Sequence, residues 1–182
     1  MVNARYLGFT TSVGTVVATD FLSLVLPVSN PGKITTLQSL TISGLRYLAI
    51  SNTDGLSTHI QRTLESMNLD PTFGIHYAAR VYGNIIANYT DGLAATQAIA
   101  STLPKGDFTI AYHTNYLAVQ KENGGKTIRA FPIPGQFNPP VQMVAAIVSH
   151  AHNPTLAQQL IDFLHASSAS LIWTQFGFSP AS

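Results

Sequence analysis

Short apolar runs alternate along the chain with longer segments whose apolar residues recur at helical spacing. Apolar runs within residues 21–30, 45–51, 108–112 and 141–149 predict buried strands. Turn signals rich in Pro, Gly and Asn separate these runs from the segments that follow. Because predicted strands and helices alternate, the sequence indicates an α/β sandwich with a mainly parallel sheet.

Two segments carry clear helical signals. Residues 52–70 begin with polar capping candidates and continue with Ile60, Leu64 and Met67 at helical spacing. Asp91 can cap the next helix, which carries apolar residues on one side. Both helices are predicted to follow a strand.

Residues 71–90 remain open, since Tyr77 and Val81 fit a helix whereas the residues near Ile85 also permit a strand. Residues 111–116 are interpreted as a strand end followed by a polar turn. The remaining expectations are a short helix at residues 35–40, a hairpin-like loop at residues 120–126 with a strand after it, and two helices over residues 153–178 with Pro154 at the first helical position.

Polar segments at three predicted strand ends suggest an anion site. In parallel sheets, ligands bind beyond the carboxyl ends of the strands, where loops lead into helix N-termini. Residues 51–58, 89–94 and 111–116 supply such parts. Two helix N-termini converging with the Tyr112 hydroxyl would bind an anion without Lys or Arg, because backbone N–H groups and the helix dipole supply the positive field. The alternative is that Tyr112 is a half-buried core residue.

The chain carries few charged residues, which argues against partners that are recognised through charge. Only 9% of the 182 residues are charged and the formal net charge is +1, so we expect no nucleic-acid partner. The absence of cysteine excludes disulfides and thiolate chemistry. No apolar run reaches the roughly 20 residues of a membrane span. The first residues do not match a signal peptide, so an exported protein would be represented here by a mature form or a fragment.

The sequence gives little support for an enzyme or a metal site. Asp54, Ser57 and His59 could suggest a hydrolase triad, but they lie at one helix start, where helix capping explains them better. His150 and His152 could bind a metal, yet no further ligand has fitting local spacing. We therefore expect no catalytic residue, no metal and no cofactor.

Several stretches resemble, in the same order, the molybdate- and tungstate-binding proteins of ABC importers, which are class II periplasmic solute-binding proteins. Residues 21–40 resemble the family's hinge strand, turn and short helix, and residues 44–69 its anion-contacting helix with the preceding strand. Residues 106–118 resemble its "Ala-Asp-x-Gly-x-Val-Tyr-x-x-Asp-Ala" segment, which places the family's tyrosine at Tyr112. Residues 153–181 are similar to its closing helices, so the resemblance spans residues 20–182.

This resemblance implies a periplasmic-binding-protein-like fold with a three-layer α/β/α lobe. It implies that the protein holds a tetrahedral oxyanion such as molybdate or tungstate and delivers it to an ABC permease. The location would be extracytoplasmic, either periplasmic or extracellular. By position, the implied ligand-binding residues are Tyr112, then Leu56 and Ser57 at the first helix N-terminus, and Asp91 and Gly92 at the second.

Nothing before Phe21 resembles the family's first lobe. We therefore expect residues 1–30 to be a remnant of that lobe with the hinge strand, residues 31–130 to form an incomplete second lobe, and residues 131–182 to form the return strand and C-terminal helices. A homodimer or another partner could complete the cleft. The alternative function is a structural or regulatory module without transport, acting through self-association or a protein partner.

Overall fold

The computed structural model describes residues 7–10, 13–51 and 55–181. Contacts within the chain divide it into a flanking unit, Met1–Asp20 with Pro140–Ser182, and a central unit, Phe21–Pro139. The predicted division at residues 30 and 130 stays a prediction. The strands are β1 (Thr15–Asp20), β2 (Leu22–Pro27), β3 (Tyr47–Ile50), β4 (Ile85–Tyr89), β5 (Thr109–Tyr112), β6 (Ile128–Pro132), β7 (Val141–Ala145) and β8 (Ser179–Pro180). The helices are α1 (Gly55–Met67), α2 (Tyr77–Tyr82), α3 (Gly92–Ala100), α4 (His113–Glu122), α5 (Pro154–His165) and α6 (Ser167–Gln175), with a short 3-10 helix at Gln38–Thr41.

Four of the five strands in the central unit run in the same direction. β3 pairs with β4 in parallel, and a parallel bridge between Tyr47 and Phe108 links β3 to the start of β5. The backbone N–H of Leu48 donates to the Phe108 carbonyl at 3.0 Å across this link. β2 lies between β5 and β6 and is antiparallel to both. The predicted parallel arrangement therefore needs one correction at β2.

The two faces of the central sheet bury two separate apolar clusters, because successive residues of a strand point to opposite faces. Tyr47 and Ala49 pack with α1 and α2, whose buried residues include Leu64 and Val81. Leu48 packs on the other face with buried residues of α3 and α4. Helices on both faces of one sheet give the three layers that were predicted.

Residues 71–90 form both of the elements that the sequence left open. α2 ends at Tyr82 and β4 begins at Ile85. Between them the buried side chain of Asn84 donates to the carbonyls of Leu40 and Ile42 at 2.9 and 2.8 Å. These two hydrogen bonds hold the turn between the helix and the strand.

The polar turn predicted after Tyr112 is wrong, because α4 begins at the next residue. α4 buries only Val119, so its sequence has little of the periodicity that indicates a helix. The predicted loop at residues 120–126 is accordingly shorter. Gly124 and Gly125, with φ of 62° and 74°, allow the left-handed turn that leads to β6.

The flanking unit forms its own antiparallel sheet, in which β1 pairs with both β7 and β8. The apolar run at residues 141–149 was predicted to form the last strand of the central sheet. That prediction is wrong, because β7 pairs with β1 alone among the described strands. Pro154 begins α5, and the Asn153 side chain caps it by accepting the Leu156 N–H at 2.9 Å. Among the described residues, no helix combines the length and apolar character required to cross a membrane.

Candidate functional site

Three helices of the central unit each follow one of three mutually parallel strands. α1 is the next element after β3 and α3 the next after β4, whereas α4 begins at the residue immediately after β5. Because these strands run in the same direction, their carboxyl ends and the helix N-termini lie at one edge of the sheet. The N-terminal end of a helix presents backbone N–H groups and the positive end of the helix dipole, and both favour anions.

Gly92 brings the first turns of the three helices into contact. A methyl group on Gly92 would lie 2.6 Å from the Leu56 Cδ2 atom of α1 and 2.6 Å from the Asn115 Oδ1 atom of α4. Both distances are far shorter than a van der Waals contact, so only glycine permits this approach. Two of the predicted residues, Leu56 and Gly92, are therefore neighbours.

Tyr112 occupies the N-cap position of α4 with an extended backbone, φ −61° and ψ 146°. Its half-buried ring contacts the imidazole of His59, with the ring centroids 5.8 Å apart and the planes inclined by 46°. His59 lies one helical turn after Leu56 in α1. The phenol is thus held between α1 and α4.

Five residues at these helix starts form a group that we call the anion ring, after the ligand predicted from the sequence: Leu56, Gly92, Asn115, Tyr112 and His59. Leu56 touches Gly92, which touches Asn115. Asn115 lies three residues after Tyr112, and the Tyr112 ring contacts His59. The ring therefore joins the N-terminal turns of α1, α3 and α4.

Asp91 acts as the cap of α3. Its Oδ1 accepts the Ala94 N–H at 2.8 Å, and the Thr90 hydroxyl donates to its Oδ2 at 3.1 Å. The hydrogen bond from Ala94, aided by the one from Thr90, lowers the pKa of the Asp91 carboxyl. A carboxylate cannot donate to an oxyanion, so any contact from Asp91 would come from its backbone N–H.

Ser57 lies apart from the anion ring, in a cleft of about 410 Å³ on the face of the sheet covered by α1 and α2. We call it the β4 cleft, because Ile85 and Asn88 of that strand line it. Adjacent helical residues point about 100° apart, so Leu56 and Ser57 face different surroundings. The capping candidates Asn52, Thr53 and Asp54 lie outside the described residues.

His59 and Asn115 were not among the site residues predicted from the sequence. Asn115 occupies the position of the aspartate in the family's "Tyr-x-x-Asp" segment. Its position beside Gly92 could have been predicted only with α4 in place, since its three-residue spacing from Tyr112 brings the two residues to one side only in a helical turn. Within the described residues, no group of three or more His, Cys, Asp or Glu is placed to hold a metal ion.

Comparison with known proteins identifies the family. The bacterial extracellular solute-binding protein family matches residues 1–179, and the chain belongs to it. Comparison with curated protein sequences gives no significant match. Family membership indicates a solute-binding protein with an extracytoplasmic location.

Three solved structures illustrate the fold and its range of ligands. The periplasmic molybdate-binding protein of Azotobacter vinelandii is 17% identical with a TM-score of 0.69, and the match covers 100% of this chain and 74% of that one. The sulfate-binding protein SubI of Mycobacterium tuberculosis H37Rv is 17% identical with a TM-score of 0.78, covering 99% and 64%. Iron-bound HitA of Pseudomonas aeruginosa is 15% identical with a TM-score of 0.73, covering 98% and 65%.

The predicted fold class, a periplasmic-binding-protein-like α/β fold, is confirmed by these similarities. The chain spans between 64% and 74% of the length of the three proteins. Their identities are low, so they establish the fold and not the ligand.

Proposed function

We propose that this chain is a solute-binding protein, or part of one, that holds a tetrahedral oxyanion such as molybdate or tungstate for an ABC permease, in the periplasm or extracellular space. The observation that carries the proposal is the anion ring, where Tyr112 and the N-termini of three helices meet. Backbone N–H groups from α1 and α3, near Leu56 and Gly92, would donate to the anion together with the Tyr112 hydroxyl. No resident cofactor is required for this chemistry.

An oxyanion suits the anion ring better than a metal cation does. The ring contains no Asp or Glu side chain, whereas hard metal cations need several anionic oxygen ligands. It also contains no Lys or Arg, so recognition would rest on neutral donors and helix dipoles. His59 adds one nitrogen that can donate a hydrogen bond. Ser57 remains a candidate donor only if its side chain or backbone reaches the anion from the β4 cleft.

Tyr112→Phe tests the proposal directly. Removing one hydroxyl donor from a bound dianion costs about 1.5–3 kcal/mol, which is roughly a 10- to 150-fold rise in Kd. Isothermal titration with molybdate, tungstate and sulfate, with phosphate as a comparison, measures this change. Tyr116→Phe is the matched control, because Tyr116 lies in the same helix and its hydroxyl interacts with Gln120 outside the anion ring.

Equal affinities of wild type and Tyr112→Phe would remove Tyr112 from the site. If the wild-type chain binds none of these anions, the alternative function gains support. That alternative is a structural or regulatory module that keeps the fold without transport.

We further propose self-association through α5. Leu156, Leu160 and Phe163 form a stripe along this helix and are 60%, 57% and 47% exposed. Exposed apolar stripes of this kind mark association surfaces. The double substitution Leu156→Gln with Leu160→Gln should turn a wild-type dimer into a monomer in sedimentation velocity.

Leu103→Gln is the control for this experiment, because Leu103 is 85% exposed but lies outside α5. It should leave the dimer intact. A compact wild-type monomer at high protein concentration in light scattering would contradict the proposed association.

A further inference from the structure

The β4 cleft lies outside the anion ring and has the size and the apolar lining of a small-molecule site. Its volume of about 410 Å³ falls in the range of small-molecule sites, about 300–1,000 Å³. Its apolar lining comes from Ala49 and Ile50 of β3, Ile60 of α1 and Ile85 of β4. A cleft of this kind can bury the apolar body of a small organic ligand.

The polar groups of the cleft are all uncharged. Ser57 and Gln61 project from α1, Tyr82 from α2, Asn88 from β4 and the buried Tyr47 from β3. The lining therefore contains three hydroxyls and two primary amides, which both donate and accept hydrogen bonds. A ligand that carries hydroxyl or amide groups would find partners of either kind.

A strand irregularity places Asn88 in the cleft. The pairing of β3 with β4 shifts register after Tyr47, so that Tyr47 pairs with Ile85 and Ala49 pairs with Asn88. Ile85 and Asn88 therefore lie on the same face although they are three residues apart, an odd spacing that would put them on opposite faces in a regular strand. The bulge supplies the cleft with one apolar and one amide side chain from the same strand.

Charge near the cleft disfavours anions. The Glu65 carboxylate accepts a hydrogen bond from the Gln61 amide nitrogen at 2.8 Å. Burial, with a smaller contribution from Glu65, raises the pKa of Tyr82 to about 12, so its phenol stays protonated and can donate at neutral pH. Among the described residues that line the cleft, none carries a charge.

We propose that the β4 cleft binds an uncharged organic molecule with an apolar body of ring size and a hydroxyl or amide group. The apolar floor holds the body, and Asn88, Gln61 and Ser57 bond the polar group. An inorganic oxyanion is disfavoured there, because the Glu65 carboxylate lies beside Gln61 and much of the lining is apolar. This site is separate from the anion ring and does not depend on oxyanion binding.

The test uses two neutral probes, benzamide and resorcinol, with benzoate as the charged counterpart of benzamide. Titration followed by two-dimensional ¹⁵N NMR should give saturable shifts of the backbone amides of Ser57, Gln61 and Asn88 with the neutral probes. Benzoate should bind at least tenfold more weakly, because of its charge.

Asn88→Leu fills the cleft and removes one amide, and it should weaken both neutral probes at least tenfold. Gln61→Leu also removes one amide from the cleft, but from α1, and it should weaken both neutral probes as well. Agreement between the two variants shows that the effect of Asn88→Leu is not a local distortion of β4. Gln97→Leu is the matched control, since Gln97 is exposed on α3 away from the cleft, and it should bind like wild type. Absence of saturable shifts with both neutral probes, or equal binding by wild type and Asn88→Leu, overturns the proposal. Failure of molybdate binding leaves these outcomes unaffected.

Discussion

Gly92→Ala should raise the Kd for molybdate at least 100-fold. Gly92 lies at the start of α3, where an added methyl group would stand 2.6 Å from both the Leu56 Cδ2 atom and the Asn115 Oδ1 atom. Contacts this short would push the first turns of α1, α3 and α4 apart, so donors from at least two helices would lose their alignment on one anion. A hydrogen bond to a charged group is worth about 1.5–3 kcal/mol. Each 1.4 kcal/mol corresponds to a tenfold change, so 100-fold is the lower bound for two such hydrogen bonds.

Gly135→Ala provides the matched control in the central unit. Gly135 is exposed, and a methyl group added there would meet no heavy atom within 4 Å. The substitution makes the same chemical change without displacing a neighbour. It should change the Kd less than threefold, as measured by isothermal titration after circular dichroism has confirmed folding. If both variants bind molybdate equally, the close approach at Gly92 does not hold the site together.

The helices that the sequence predicted well are those with strong local signals. α1 buries Leu56, Ile60, Leu64 and Met67 along one face, so its periodicity is visible without the fold. α3 begins at the cap that Asp91 predicts. In both cases the residues that define the helix lie within the helix or immediately before it.

α4 was not predicted, because its own sequence carries few of the signals that indicate a helix. Only Val119 is buried, and the first turn contains polar residues that are also typical of turns. The antiparallel direction of β2 relative to its neighbours was also not predicted. An apolar run shows that a strand is buried, but not whether its neighbours run with it or against it.

The sequence predicted which helix N-termini form the candidate site. It did not predict which side chains of those helices lie together. The strand-to-helix order identified the N-termini near Leu56 and Gly92, and the resemblance identified Tyr112. The separation of Ser57 from the anion ring depends on the rotation of α1 about its axis, which one residue changes by about 100°. The contact of Gly92 with Asn115 depends on how closely α3 and α4 pack.

Asn138→Ala should lower the free energy of unfolding of the central unit by about 2–4 kcal/mol. The buried Asn138 side chain accepts the Leu22 N–H at 3.0 Å and donates to the Leu22 carbonyl at 2.9 Å. Alanine would leave both backbone groups of the first residue of β2 without these partners inside the core. Each buried polar group that loses its hydrogen bond costs about 1–3 kcal/mol, and the two costs overlap because one side chain serves both.

Urea unfolding monitored by far-ultraviolet circular dichroism measures this loss. Asn123→Ala is the control, since it also removes an asparagine that donates to a backbone carbonyl, but at the exposed end of α4. It should cost less than about 1 kcal/mol, because water can replace the lost hydrogen bond there. Equal losses for the two variants would mean that Asn138 does not hold β2 in place. The difference matters for function, because β2 is antiparallel to β5, whose last residue is Tyr112, so loosening β2 would also release the phenol of the anion ring.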